Sequence, residues 1–313
     1  MSFAKRWHDG VWNRLIASTI TDDLTLSKVR IATAILTLLF FDLHFAWITD
    51  LPPSLFAPHK LSLAILFKDM PGKLCFQIGE ILLVFSVFCV AIGLKSRINC
   101  LLFAFTYICL CSFKYSFGKI DHTIMLPAAF FCLALTNAGC RWAIIPDREK
   151  SFVPRGETLL SITLAFGMFT AGLPKAIHWL DFDLTHNGFL SWFYRGYFSM
   201  ERQPFGASLV FQMPAWLTEV FDYCAVAFEL SPFFCLLLGR TYWRTWIVVA
   251  CLFHTFNTIL LGIPFFINIV AYLPFILLDR QAIAAPRKNP FVSLVVVSFA
   301  LAALTMHFAQ TFK

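Results

Sequence analysis

The chain has 313 residues, 59% of them hydrophobic and 14% charged, against roughly 45–50% and about 25% in ordinary soluble domains. With 37 Phe and a mean hydropathy of +0.73, it is not a soluble enzyme, and its continuous apolar runs exclude disorder, a coiled coil and the alternating pattern of a β-barrel. The net charge of +7 rests on basic residues standing singly between apolar runs, so nucleic acid is not an expected partner.

In chain order, residues 1–26 read as an amphipathic cytoplasmic segment. Lys5, Arg6 and Arg14 alternate there with Phe3, Trp7, Trp12 and Leu15, a composition suited to a short helix lying on a membrane surface. Apolar stretches follow near 27–48, 76–94, 98–113, 123–140, 158–173, 217–238, 244–262, 264–278 and 291–309. The expected fold is therefore all-α, a polytopic membrane bundle of about eight to nine transmembrane helices. The membrane domain is expected over 27–280 and a last transmembrane helix over 281–313, with no large soluble lumenal domain.

The first stretch begins with Lys28 and Arg30 and lacks a small-residue cleavage site, so it reads as an anchor and not a removable signal. A single helix over 244–278 would be about 50 Å long at ~1.5 Å per residue, too long for a bilayer. The break at Gly262-Ile263-Pro264 implies either two helices meeting in a tight turn or a partly re-entrant second piece. With the N-terminus cytoplasmic, 16 of the 25 Lys and Arg fall on the inner side and nine on the outer, which favours that orientation. The ten cysteines include no CxxC pair and no Cys/His spacing for zinc, so they read as packing residues and no metal is expected.

Ionisable groups inside membrane spans are costly and mark candidate sites. In this topology they gather towards the outer half: Asp42 and His44; Lys114, Lys119, Asp121 and His122 between the third and fourth spans; Lys175 after the fifth; Glu219, Asp222 and Glu229 along the sixth. The last three fall within about 80° of one helical face. His254, Asn257 and Thr258 share a face of the seventh span. The functional reading is a polar pocket opening outwards. The bland readings are interhelical hydrogen bonds for single His and Asn residues, snorkelling for Lys114 and Lys119, and carboxylates that merely neutralise Lys175 or a histidine. The connection before the sixth span carries Trp179, Phe182, Phe189, Trp192, Phe193, Tyr194, Tyr197, Phe198 and Trp216. Such density suits a segment in the membrane interface, either a wall over a pocket or an anchoring belt.

Several segments together resemble a known family. They are Phe117-Gly118-Lys119-Ile120-Asp121-His122-Thr123, then Thr170-Ala171-Gly172-Leu173-Pro174-Lys175 with Trp179 four residues on, and the run LFHTFNTILLGIPFFINIVAYLPF over 252–275, with a weaker FELSPFF over 228–234. Their order and spacing resemble the horizontally transferred transmembrane domain (HTTM), the membrane part of vitamin K-dependent γ-carboxylases, over about 27–280. The resemblance implies a lyase-type membrane enzyme in which Lys175 deprotonates reduced vitamin K or another quinol. Oxygen then adds, the resulting alkoxide removes a γ-proton from a glutamyl side chain, carbon dioxide captures the carbanion, and the quinone leaves as its epoxide. A lysine serves as base near neutral pH only where desolvation or cationic neighbours favour its neutral form.

By the same resemblance His122 joins Lys175 as a catalytic residue, while His254, Asn257, Trp179, Asp121 and Glu229 are expected to hold the quinol. The implied partners are a lipid-soluble quinol, the lipid bilayer and a glutamyl-containing or other secreted protein or peptide. Two departures stand out. Pro174 occupies the place of a second lysine in the carboxylases, and the chain ends soon after its last span, where they carry a large lumenal domain. The competing readings are a non-enzymatic scaffold or maturation partner and a small-molecule transporter. The expected location is a bacterial inner membrane in preference to the endoplasmic reticulum, with the active face outside.

Overall fold

The computed structural model describes residues 3–118, 120, 122–148, 156–181, 183, 184 and 186–277. The last expected span, over 291–309, and the proposed boundary at 281 lie outside them. The described residues form twelve α-helices and no strand. They divide into two compact units, one holding those up to Ile20 and Ser161–Ile269, the other Thr21–Leu160 and those from Val270 on.

The Thr21–Leu160 unit is built on α2 (Asp23–Phe40), α3 (Lys73–Ile92), α4 (Ser96–Lys114) and α5 (Met125–Ala134). Asp22 starts α2, its Oδ1 accepting the N–H groups of Leu24 and Thr25 at 3.0 Å each, which satisfies amides that have no partner inside the helix. In α3 apolar residues cover the whole circumference. Phe76, Leu83, Val87 and Val90 are buried, while Leu74 and Ile81 are each 68% exposed. A helix that keeps an apolar face outward needs an apolar medium there. Phe103 packs on Phe130 with ring centroids 4.0 Å apart and on Tyr107 at 5.5 Å, forming the centre of this unit.

Arg30 lies fully buried in α2. Its guanidinium donates to the carbonyls of Ala138, Arg141 and Trp142 at 3.2, 3.3 and 2.5 Å, pinning the chain that follows α5. That chain lies along the turn after α3, with Ile144 and Ile145 N–H donating to the carbonyls of Ile92 and Gly93. Gly93 has φ +75°, a conformation that disfavours any side chain, and a Cβ there would meet Ala143. A basic residue read from sequence as an inner flank of a span is thus an internal clamp.

The other unit contains α1 (Phe3–Thr19), most of α6 (Gly156–Trp179), then α7 (Gly188–Tyr194), α8 (Ala207–Phe211), α9 (Ala215–Leu230), α10 (Pro232–Leu238), α11 (Arg240–Leu261) and the start of α12 (Phe266–Ile276). The stretch expected as one span over 217–238 is instead bent by 49° between α9 and α10. Proline is the cause: Pro232 has no N–H for the carbonyl of Phe228, four residues earlier. That carbonyl accepts instead from Trp246 Nε1 at 3.2 Å and Ser231 Oγ at 2.8 Å. The Trp246 ring stacks on Phe228 at 5.0 Å and 5°, so one tryptophan fills and satisfies the bend.

The chain breaks at 262–264, between the end of α11 at Leu261 and the start of α12 at Phe266. Gly262 ends α11 with φ +65°, its N–H donating to the Thr258 carbonyl at 3.1 Å and that of Ile263 to Asn257 at 3.3 Å, a left-handed helix stop.

Among the described residues, four helical segments are long and apolar enough to cross a membrane: Lys73–Ile92, Ser96–Phe117, Gly156–Trp179 and Arg240–Leu261. The bent pair α9 and α10 would make a fifth if counted as one span. The run over 291–309 lies outside the described residues, and several of the other apolar runs hold helices shorter than the run. The run over 123–140 holds only the ten-residue α5, and that over 264–278 only the eleven-residue α12. The run over 27–48 leaves its α-helix at Phe40. No disulfide joins any of the ten cysteines.

Candidate functional site

The helix α6 continues through Trp179, so Lys175 sits inside it and not beyond its end, as the sequence suggested. One turn earlier, Gly172 faces α9 so closely that a Cβ would lie 2.8 Å from Glu229 Cβ. Small residues allow such backbone approach in apolar helix pairs. The approach brings Lys175 Nζ into an ion pair with Glu229 Oε1. The lysine side chain is 22% exposed and the carboxylate 5%. The second carboxylate oxygen, Oε2, is buried with no hydrogen-bond partner among the described residues.

Trp179 completes this arrangement. Its ring lies 5.2 Å from Lys175 Nζ, one helical turn along α6, in cation–π geometry. The indole is held from behind by the backbone of Gly188, where no Cβ would fit. Gly188 in turn opens α7, and both carboxylate oxygens of Asp222 are used there: Oδ2 accepts the Gly188 N–H and Oδ1 that of Phe189, each at 2.8 Å. Asn187 caps the same helix by accepting the Leu190 N–H at 2.8 Å, and its amide reaches Glu219 Oε2 at 3.4 Å. Glu219, Asp222 and Glu229 are all buried, as their common face predicts, yet they do different things. Asp222 is a backbone clamp, Glu219 supports the cap, and Glu229 holds the lysine.

The aromatic connection is folded. Phe189, Phe193, Val210 and Leu260 make a small buried core, with Tyr197 and Phe211 rings 5.2 Å apart beside it. Phe198 and Phe205 stand 67% and 89% exposed, which fits an apolar surrounding better than water. Phe182 lies outside the described residues.

His254 in α11 is buried, and its Nε2 meets Asn268 Nδ2 at 2.9 Å, with the Phe265 ring 4.6 Å away. Asn268 and not Asn257 is the histidine's amide partner; Asn257 is half-buried and gives its carbonyl to the α11 stop. His122 lies exposed in a 3-10 turn, His122–Ile124, of the Thr21–Leu160 unit. Asp121 and Lys119 fall outside the described residues. Asp42 and His44 are exposed after the end of α2, where His44 Nδ1 and the N–H groups of Phe45 and Ala46 all meet Glu80 Oε1 within 2.9 Å. That cluster holds a turn.

Sequence reasoning missed Gly172, Gly188, Asn187 and Asn268. The Asn187-Gly188 pair before an apolar run was a usable helix-start signal. The glycine contacts required the partner helices. No family model, no curated protein and no solved structure matches this chain.

Proposed function

We propose that the protein is an integral membrane enzyme in which the Lys175–Glu229 pair accepts the proton of a lipid-soluble quinol, on the pattern of the HTTM part of vitamin K-dependent carboxylases. The observation that carries this reading is the buried, unpartnered Glu229 Oε2 beside an ion-paired lysine. A buried acceptor without a donor costs about 1–3 kcal/mol, and a hydroxyl presented from the membrane would satisfy it.

The pair accounts for its own proton. As an ammonium facing a carboxylate it is neutral overall. Taking a second proton leaves an ammonium at Lys175 and a carboxylic acid at Glu229, and the new positive charge stands next to the oxyanion just formed. Trp179 offers a flat apolar face beside Nζ, suited to an aromatic ring, and its seat on Gly188 fixes that face. Oriented charge of this kind in a water-poor site favours the deprotonated substrate. The quinol, when bound, supplies the acidic hydroxyl and the reducing electrons for oxygen chemistry. The reading includes a multi-pass location with the N-terminus cytoplasmic and the Lys175 side outward, in a bacterial inner membrane. A glutamyl-containing acceptor remains part of the proposal.

The test is turnover of reduced vitamin K and of menaquinol by the purified protein, assayed for epoxide beside Lys175→Ala. Epoxide from the wild type and none from the folded variant is the expected result. Equal epoxide from both would end the assignment of the base. Absence of epoxide from folded wild type with every quinol would remove the quinol reading.

A further inference from the structure

One end of the Thr21–Leu160 unit, where α3 stops at Ile92 and α4 starts at Ser96, gathers basic and aromatic side chains that the proposed chemistry does not use. Both helices are long and apolar enough to cross a membrane, so on the multi-pass reading the turn between them lies at a membrane boundary. The chain after α5 folds back over that turn. Lys95 N–H donates to the Ile145 carbonyl at 3.4 Å, and Asp147 N–H to that of Gly139 at 3.0 Å, closing 139–147 into a loop. From α2, Lys28 places its Nζ 5.8 Å from the centre of the Trp142 ring. Lys28, Lys95, Arg141 and Arg148 thus stand around this loop, all four exposed. None of them forms an ion pair with a described residue. The loop's own carboxylate, Asp147, accepts the Arg97 N–H at 3.0 Å. Trp142 has φ +48° and Lys95 +43°, left-handed conformations that disfavour residues with a side chain. Arg30 holds the Trp142 carbonyl in place, and the ring is left 61% exposed, with Ile144 at 68%. Backbone strain kept at a defined place gathers where a ligand is met.

We infer that this surface docks anionic lipid headgroups, with Trp142 and Ile144 seated against the start of the acyl chains. Clustered cations at a membrane boundary attract anionic headgroups, and tryptophan favours that boundary because its ring is apolar and its N–H polar. The apolar side of the surface continues into exposed Phe88, one turn before the end of α3, and exposed Ile98, in the first turn of α4. A free phosphate would meet the charges and leave Trp142 and Ile144 in water, so the partner is lipid.

This inference rests on the multi-pass reading but not on the quinol chemistry, and the test separates them. A fluorescent phosphatidylglycerol bound to the full-length protein in neutral detergent is competed with unlabelled phosphatidylglycerol, phosphatidylcholine or inorganic phosphate. Displacement by phosphatidylglycerol and by neither of the others is expected. Phosphatidylcholine competing as strongly would overturn the headgroup assignment, and inorganic phosphate competing as strongly would overturn the lipid source. Lys28→Gln/Arg141→Gln/Arg148→Gln should weaken phosphatidylglycerol binding roughly 100-fold, about fivefold per charge. Lys60→Gln/Lys68→Gln, at two exposed lysines between α2 and α3, should leave it unchanged. Equal affinity of the wild type and the triple variant, or equal losses in the two variants, would overturn the site. Should the triple variant not fold, photolabelling of the wild type with a photoactivatable phosphatidylglycerol decides. Label on 95–98 and 141–148 supports the site, and label confined elsewhere refutes it. Carbonate release of the protein from membranes would instead defeat the membrane reading, and this inference with it.

Discussion

Each unit sets a cation in a helix, Arg30 fully buried and Lys175 partly so, and the two are handled differently. Arg30 is met by neutral acceptors: three backbone carbonyls of the chain after α5, which it pins in place, and Ser96 Oγ at the start of α4. Lys175 is met by a carboxylate that keeps one buried oxygen unpartnered. A cation spread over carbonyls has nowhere to move a proton, because neither the guanidinium nor an amide carbonyl exchanges one near neutral pH. An amine facing a carboxylate does. The same cost of burying charge thus yields a clamp in one place and a candidate proton acceptor in the other.

The contrast can be broken most severely at Lys175. Lys175→Met should cut quinol turnover by about 10²–10⁴-fold, the usual range for a lost general base. It should also destabilise the protein by about 3–5 kcal/mol, since it strands a buried carboxylate; pairing it with Glu229→Leu should restore most of that stability and none of the activity. Denaturant unfolding of the three variants in detergent reads this. Arg30→Met should cost about 3 kcal/mol through orphaned carbonyls without a specific effect on turnover per folded molecule. Asp222→Asn should cost about 2 kcal/mol, the range of a charge-assisted hydrogen bond, and should raise the KM by loosening α7 and hence Trp179. Trp246→Phe keeps the stack on Phe228 but loses the bond to its carbonyl. About 1 kcal/mol is expected there, with no change in kinetics.

What could be read in advance follows from how far apart the interacting residues lie. The glycine stop at 262, the common face of Glu219, Asp222 and Glu229, and the Lys175–Trp179 neighbourhood are local, fixed by helical periodicity or turn chemistry. Pro232 was also local, but its cost was underrated because the surrounding apolar run looked continuous. The contact of Lys175 with Glu229 spans 54 positions and depends on Gly172, whose role appears only when α9 is packed against it. Arg30 and His44 show what charge counting and depth leave unread: Arg30 is a buried clamp on backbone carbonyls, and His44 sits on an exposed turn bonded to Glu80.

The central claim is that Lys175 and Glu229 act as one proton-accepting unit, and a kinetic double-mutant cycle tests it most directly. Epoxide formation from reduced vitamin K would be measured for the wild type, Lys175→Met, Glu229→Gln and the double variant, each normalised to folded protein. A unit predicts that both single variants and the double fall to the same residual rate, because removing either member removes the function of both. Losses that multiply in the double variant, or a Glu229→Gln enzyme with wild-type turnover, would contradict it.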